Sequence, residues 1–200
     1  MTFVLGLTGG IASGKSAADA FFKSKGIPVI DSDVIAHNIL NVGQPGWKKV
    51  KEHFGSAYLN PDQTVNRKKL GQLVFAHPEQ LKILNNITHP LVYQEIQKGI
   101  SYNREHRTPF VVVDVPLLFE SSPKKYYDRI LVIALPEKLQ VKRLMKRNNL
   151  TKEQALARIH SQMPLSEKTA KADYVVANTG TIEELRDKLE LLLKKIERET

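Results

Sequence analysis

The chain has 200 residues, of which 42% are apolar and 26% charged, with a formal net charge of +9 and no cysteine. This composition excludes a disordered or collagen-like protein, and the lack of cysteine excludes disulfides, thiolate metal sites and cysteine nucleophiles. The longest strongly apolar runs have six residues, whereas a membrane-spanning helix needs about 20. The N-terminus also lacks the pattern of a signal peptide, so we expect a single cytoplasmic domain that is not bound to a membrane.

Five short runs rich in β-branched residues predict strands that are buried on both faces, because most are apolar throughout rather than alternating. Helical patterns separate them, which is typical of a doubly wound α/β sheet. The predicted strands are Phe3–Thr8, Ile27–Asp31, Phe110–Val115, Arg129–Leu135 and Asp173–Ala177. The predicted helices between and after them are Ser16–Lys25, Glu137–Arg147, 151–163 behind the capping box Thr151-x-x-Gln154, and a long C-terminal helix behind Thr181-x-x-Glu184.

About eighty residues separate the second and third predicted strands, which is too many for a simple connection. They contain helical patterns at Arg67–Phe75, Glu79–Thr88 and from Leu91 to Asn103. We therefore predict a helical substrate lobe inserted at about 33–108 into a single domain. The nucleotide-binding core would then consist of about 1–32, 109–136 and 166–200.

The segment from Gly9 to Ser16 matches the phosphate-loop pattern G-x-x-x-x-G-K-[ST] and lies between a predicted strand and a predicted helix. Its glycines let the backbone approach phosphate, and the N–H groups of the loop and of the helix N-terminus attract an anion. Lys15 would reach the β- and γ-phosphates, and Ser16 would bind Mg²⁺. The sequence therefore predicts ATP or GTP binding by Gly10, Ile11, Ala12, Ser13, Gly14, Lys15, Ser16 and Ala17.

Acidic residues follow the second and third predicted strands. Because ligands bind at the carboxyl ends of parallel strands, we expect Asp31, Asp33 and Asp114 near the phosphate site. Asp33 or Asp31 would accept the proton of a substrate hydroxyl, and Asp114 would hold the hydration shell of the metal. Asp31 is explained equally well as a helix cap.

Residues 137–171 carry nine basic and three acidic side chains, a net charge of +6. Arg143 and Arg147 are four residues apart and share one helix face, as Arg158 and Gln162 do further on. Arginine binds phosphate oxygens with a planar fork, so the two helices predict a lid over the triphosphate at about 137–165. A solvated basic surface would explain the lysines equally well, but it explains the clustered arginines less well.

Five stretches together resemble the dephospho-CoA kinase family. They are Leu7–Ser16, Ile30–Ala36, Ile87–Val92, Asp114–Glu120 and a discontinuous match within 151–181, and they cover nearly the whole chain in order. The resemblance implies a three-layer P-loop kinase fold, with a parallel five-stranded sheet in the order 2-3-1-4-5. It also implies ATP-dependent phosphorylation of the ribose 3′-hydroxyl of dephospho-CoA, the last step of coenzyme A synthesis.

The resemblance also implies roles for individual residues. Asp33 would be the catalytic base, while Lys15 and Arg143 would neutralise charge on the transferring phosphoryl group. Besides the loop, Arg147, Asn178 and Gly180 would contact ATP, and Ser16 and, through water, Asp114 would hold Mg²⁺. Dephospho-CoA would be bound by Asp33, His89, Pro116, Leu117, Arg158 and Gln162, although a lone histidine before proline is more often structural.

Two alanines depart from the usual pattern of the family. Ala12 stands where glycine is usual, and its methyl group is tolerated only if the backbone keeps a negative φ. Ala17 stands where serine or threonine is common, which predicts a weaker hold on the α-phosphate. Neither change removes a catalytic role.

Two other functions stay open at this point. One is a P-loop kinase for a nucleoside monophosphate or a similar acceptor. The other is a non-catalytic, nucleotide-dependent nucleic-acid-binding module, which the net charge favours and the lack of aromatic residues in the basic segment opposes. We predict ATP with Mg²⁺ and dephospho-CoA as ligands, no zinc, no nucleic acid and no obligate protein partner.

Overall fold

A parallel five-stranded sheet forms the centre of the fold in this computed structural model, which describes residues 2–121 and 126–199. Its strand order is β2-β3-β1-β4-β5, so the predicted fold class and order are confirmed. Each strand begins and ends within two residues of its predicted bounds. The strands are β1 (Phe3–Gly9), β2 (Val29–Asp31), β3 (Phe110–Asp114), β4 (Arg129–Ala134) and β5 (Tyr174–Ala177).

Helices fill the connections between these strands. Those of the sheet unit are α1 (Lys15–Ser24), α6 (Leu118–Ser121), α7 (Glu137–Asn148), α8 (Lys152–His160), α9 (Leu165–Ala170) and α10 (Ile182–Glu199). Those between β2 and β3 are α2 (Ser32–Asn38), α3 (Pro45–Phe54), α4 (Arg67–Ala76) and α5 (Pro78–Glu105), with a 3₁₀ turn at Ser56–Tyr58. The predicted capping box of Thr151 and Gln154 is present at the start of α8.

The predicted break between two helices near Pro90 is wrong. Helix α5 runs through that residue over 28 residues. A proline inside a helix removes one backbone hydrogen bond and costs about 3 kcal/mol. Apolar side chains packed both before and after it, including Ile87, Ile96 and Ile100, outweigh this local cost.

The chain divides into two compact units. The larger contains the residues up to Ile30 and from Asn103 onward, and its core packs Phe21 and Phe22 of α1 with apolar residues of the sheet and of α10. The smaller, Asp31–Tyr102, has its own apolar cluster around Val50 and Leu70. The bounds of the lobe and the lid stay predictions. Within the described residues, no helix has the length and apolar character needed to cross a membrane.

A tyrosine on the edge strand anchors the last helix. The Tyr174 hydroxyl donates a 2.5 Å hydrogen bond to Glu199 Oε2, and Lys195 Nζ lies 5.5 Å from the centre of the tyrosine ring. Burial, the hydrogen bond to Glu199 and the charge of Glu199 raise the pKa of Tyr174 from 10.0 to about 12.

This raised pKa predicts how stability changes in alkaline solution. Because the folded state holds the phenol proton more tightly, the contribution of Tyr174 is fully present below pH 10 and is lost as the pH rises through about 12. Urea unfolding of the wild type and of Tyr174→Phe should therefore show a difference in unfolding free energy that shrinks over that range. A difference that stays constant with pH would contradict the prediction.

Candidate active site

The phosphate loop connects the end of β1 to the start of α1. Gly14 caps the helix in a left-handed conformation, φ 96°, and the part of the chain that the structure describes supplies no side-chain cap for the first N–H groups. The first turn of α1 also contains no acidic residue. Unsatisfied N–H groups at a helix N-terminus attract an anion, so this arrangement suits a phosphate group.

Ala12 does not have the negative φ that we expected for a methyl group at this position. Its φ is 57°, in the left-handed region, where an L-residue pays about 1–2 kcal/mol. Ile11 and Ala12 also pack against the apolar cluster that joins α7 to α8. The loop conformation is therefore imposed by its surroundings rather than by the residue at position 12.

Two amide side chains hold the loop on either side of Ala12. Gln140 Nε2 donates to the Ile11 carbonyl at 2.8 Å, and Asn178 Nδ2 donates to the Ser13 carbonyl at 2.7 Å. Both side chains are buried. A Cβ atom added at loop position 10 or 14 would overlap these amides, so glycine at both positions permits the close approach.

Removing either amide should weaken ATP binding more than it weakens the fold. We expect Gln140→Ala and Asn178→Ala each to raise the Kd for ATP about tenfold, because one lost hydrogen bond of about 1–1.5 kcal/mol frees the loop from its strained conformation. Calorimetric titration with ATP measures this effect. Asn66→Ala is the matched control, since Asn66 caps α4 in the smaller unit, and it should lower stability without changing the Kd. An unchanged Kd for ATP in both Gln140→Ala and Asn178→Ala would contradict the prediction.

Lys15 and Asp114 form an ion pair at the carboxyl edge of the sheet. Lys15 Nζ lies 2.5 Å from each carboxylate oxygen of Asp114, which is 2% exposed. The parallel register aligns Asp114 with Leu7, one strand away from the loop. The structure therefore brings together the predicted phosphate-binding lysine and the predicted metal-site carboxylate, while Ser16, the next residue after Lys15, is exposed.

The predicted lid contributes one arginine to the loop region. Arg143 Nη2 donates to the Asn178 carbonyl at 3.1 Å, next to the end of the loop. Arg147 is exposed and donates to Asn148, and Arg158 is also exposed. A 3.1 Å contact between His160 Nε2 and Glu137 Oε2 joins the end of α8 to the first turn of α7.

A largely apolar cavity of about 700 Å³ meets the loop at Gly10 and Ile11. Its wall also includes Gln162, Met163 and Pro164, which connect α8 to α9. The predicted substrate residue Gln162 is therefore on the cavity wall. The other three predicted substrate residues of this unit do not line the cavity: the Pro116 carbonyl accepts a hydrogen bond from Thr8, and Leu117 and Arg158 are exposed.

Three predicted site residues belong to the smaller unit. Asp31 caps α2, because its side chain accepts hydrogen bonds from the N–H groups of Asp33 and Val34 at 2.8 and 3.1 Å, and this confirms the helix-cap interpretation. Asp33 is exposed in the first turn of α2. His89 is half-buried, and burial lowers its pKa, so its imidazole is neutral at neutral pH.

The predicted contact of Asn178 and Gly180 with ATP stays a prediction, and the structure gives the Asn178 side chain a role in supporting the loop. Gln140 was not predicted. The one sequence signal for it is an uncharged amide in the basic helix α7, directly before the buried Val141.

Comparisons with known proteins agree with the resemblance. The dephospho-CoA kinase family model matches residues 3–184. The dephospho-CoA kinase of Lactobacillus johnsonii is 57% identical over 198 residues, which are 99% of this chain and 100% of that relative. The enzyme of that name from Lactobacillus acidophilus is 55% identical over 202 residues and covers 100% of both chains.

Two solved structures are also similar to this chain over nearly its whole length. A dephospho-CoA kinase from Campylobacter jejuni is 33% identical, has a TM-score of 0.76 and covers 98% of both chains. A Thermus thermophilus structure is 34% identical, with a TM-score of 0.83 and 97% of both chains covered. The family model and the relatives span almost the whole chain, including the loop, the two acidic strand ends and the basic helices. The chain belongs to the dephospho-CoA kinase family.

Proposed function

We propose how the residues of this chain divide the work of the family reaction. The chain is a kinase that transfers the γ-phosphoryl group of ATP to the ribose 3′-hydroxyl of dephospho-CoA, giving CoA and ADP in the final step of coenzyme A biosynthesis. Membership of this family sets aside the two alternatives that the sequence left open. Two observations support the proposed roles. Gln140 and Asn178 hold the phosphate loop by hydrogen bonds to its carbonyl groups, and Lys15 at the end of the loop pairs with Asp114.

ATP would bind through the N–H groups of the loop and the first turn of α1, with Lys15 on the β- and γ-phosphates. In that state Lys15 would exchange its contact with Asp114 for the phosphate oxygens. Arg143, next to the end of the loop, would add a second positive charge, and Arg147 would contact the nucleotide from the same helix face.

Mg²⁺ is the second ligand that we propose at this edge. Hydroxyl and carboxylate oxygens are the donors that Mg²⁺ prefers, and the site offers Ser16 directly and Asp114 through water. When bound, the ion would neutralise charge that develops between the β- and γ-phosphates.

Asp33 is our proposed catalytic base. Its carboxylate would accept the proton of the ribose 3′-hydroxyl as that oxygen bonds to the γ-phosphorus, while the bond from phosphorus to the β–γ bridging oxygen breaks and ADP leaves. The exposed position of Asp33 in the first turn of α2 supports this role. Asp31 would position it, because the cap fixes the backbone at Asp33.

Dephospho-CoA would contact Gln162 on the cavity wall, together with His89, Pro116, Leu117 and Arg158. The neutral imidazole of His89 suits a hydrogen bond rather than charge neutralisation. A cytoplasmic location and independence from a protein partner stay predictions.

An acceptor panel tests the proposed function. Purified protein with MgATP should release ADP strongly only when dephospho-CoA is added, with CoA as the second product, whereas AMP, CMP and shikimate should leave the rate near that without acceptor. Excess EDTA should abolish the reaction, and added Mg²⁺ should restore it. Equal stimulation by a nucleoside monophosphate, or activity that survives EDTA, would contradict the proposal.

A further inference from the structure

A fully buried lysine lies beneath the cavity wall and has no part in the reaction described above. Lys168, on α9, is 0% exposed, and its Nζ lies 2.8 Å from Glu120 Oε1 on α6. The angles of this contact do not satisfy hydrogen-bond geometry. Within residues 2–121 and 126–199, no other acceptor forms a hydrogen bond with the Lys168 ammonium group. The contact is therefore an attraction between two charges, and Glu120 is what offsets the burial of the ammonium group.

The same carboxylate oxygen supports the backbone of the cavity wall. Glu120 Oε1 accepts a 3.1 Å hydrogen bond from the N–H group of Met163. Met163 lies between Gln162 and Pro164, and all three line the cavity that begins at the phosphate loop. One side chain therefore joins α6, the connection from α8 to α9, and the buried lysine of α9.

We propose that Glu120, oriented by Lys168, is a positioning residue that fixes the 162–164 wall for the acceptor substrate. The inference rests on the proposed function, because it takes Gln162 as a contact of dephospho-CoA. A wall fixed in advance spares the substrate the entropy of ordering it, so binding is tighter. A hydrogen bond to a carboxylate is stronger than one to a neutral acceptor, and it fixes the peptide at Met163 more firmly.

Stability alone is a weak explanation for this pair. Replacing a buried ion pair with apolar residues is often neutral or stabilising. We therefore look for the role of this pair in the backbone segment that Glu120 holds in place. The affinity for ATP should not depend on Glu120, because separate side chains, Gln140 and Asn178, hold the phosphate loop. The expected signature is therefore a change in the KM for dephospho-CoA at constant ATP affinity.

Two double variants separate positioning from stability. Glu120→Ala with Lys168→Met and Glu120→Gln with Lys168→Met both remove the two charges, so neither leaves a buried charge unpaired. Only the glutamine variant keeps an acceptor for the Met163 N–H group. We expect the alanine variant to raise the KM for dephospho-CoA about tenfold, the effect of one lost hydrogen bond, and the glutamine variant to raise it only about threefold, because it keeps the acceptor but loses the orienting lysine. The Kd for ATP should be unchanged in both.

Hydrogen exchange gives a readout that does not depend on activity. The Met163 amide should exchange faster in the alanine variant than in the wild type or the glutamine variant. Should the alanine variant not fold, Lys168→Met alone tests the same point. Glu120, whose side chain is 23% exposed, then stays hydrated without its fixed orientation, and the KM should rise about threefold.

Three results would overturn the inference: equal KM values in the two double variants, Met163 exchange that is the same in both, or a Kd for ATP that rises together with the KM. An unchanged KM in Lys168→Met would overturn it as well. Failure of the proposed function looks different, because the wild type itself would then show no response to dephospho-CoA.

Discussion

Asp33→Asn should lower the kcat for CoA formation by about 10²- to 10⁴-fold while leaving the Kd for ATP within about twofold of the wild type. The amide has the size of the carboxylate but cannot accept a proton. ATP binding depends on the loop and on Lys15, which the substitution does not touch. Single-turnover formation of CoA measures the chemical step, and titration with ATP measures the affinity.

Asp31→Asn is the matched comparison for that result. Asn and Asp cap helices about equally well, so this variant should keep the hydrogen bonds to the N–H groups of Asp33 and Val34. We expect it to lose much less kcat than Asp33→Asn. A full loss in Asp31→Asn together with an active Asp33→Asn would reverse the two roles and contradict the assignment of the base.

Lys15→Met should lower kcat by about 10²- to 10³-fold, because one charged donor at the transferring phosphoryl group supplies roughly 3–4 kcal/mol in the transition state. The variant should also be less stable than the wild type, since it takes away the cation that lies 2.5 Å from the carboxylate of the buried Asp114. Steady-state kinetics and thermal unfolding measure the two effects separately.

Two further variants test whether the lower kcat of Lys15→Met comes from the missing positive charge or from the lower stability. Lys15→Met combined with Asp114→Asn should recover much of the stability but none of the catalysis. The double variant removes the buried carboxylate that Lys15→Met leaves unpaired, but it does not restore a cation at the phosphate site. Lys23→Met, in the same helix, removes an exposed lysine that pairs with Asp19, and its kcat should stay near that of the wild type. A Lys15→Met enzyme with nearly normal kcat would contradict the proposed role.

The sequence predicted the strands well because each is buried on both faces and is therefore continuously apolar. Their order in the sheet came from the resemblance, since apolar runs alone do not show which strands are neighbours. Helix α3 was missed because Gly43-Gln44-Pro45-Gly46 reads as a turn. The structure instead uses Pro45 in the first helical turn, where its missing N–H group costs nothing.

Only part of the candidate site could be predicted from the sequence. The loop motif is local, so its position was predictable from consecutive residues. The left-handed conformation of Ala12 was not, because contacts from distant segments impose it. Gln140 is 129 positions away from Ile11, whose carbonyl it holds, and Asn178 is 165 positions away from Ser13. No periodicity or spacing in the chain links such residues.

Helix α7 contacts the phosphate loop through Gln140 and the Asn178 backbone through Arg143, so its orientation and the shape of the loop are not independent. If ATP selects one loop conformation, it also selects an orientation of α7 and of the helix α8 that packs on it. Linkage is reciprocal: the factor by which ATP favours one orientation of this hairpin is the factor by which that orientation tightens ATP binding. The orientation of this hairpin and the affinity for ATP are therefore thermodynamically coupled.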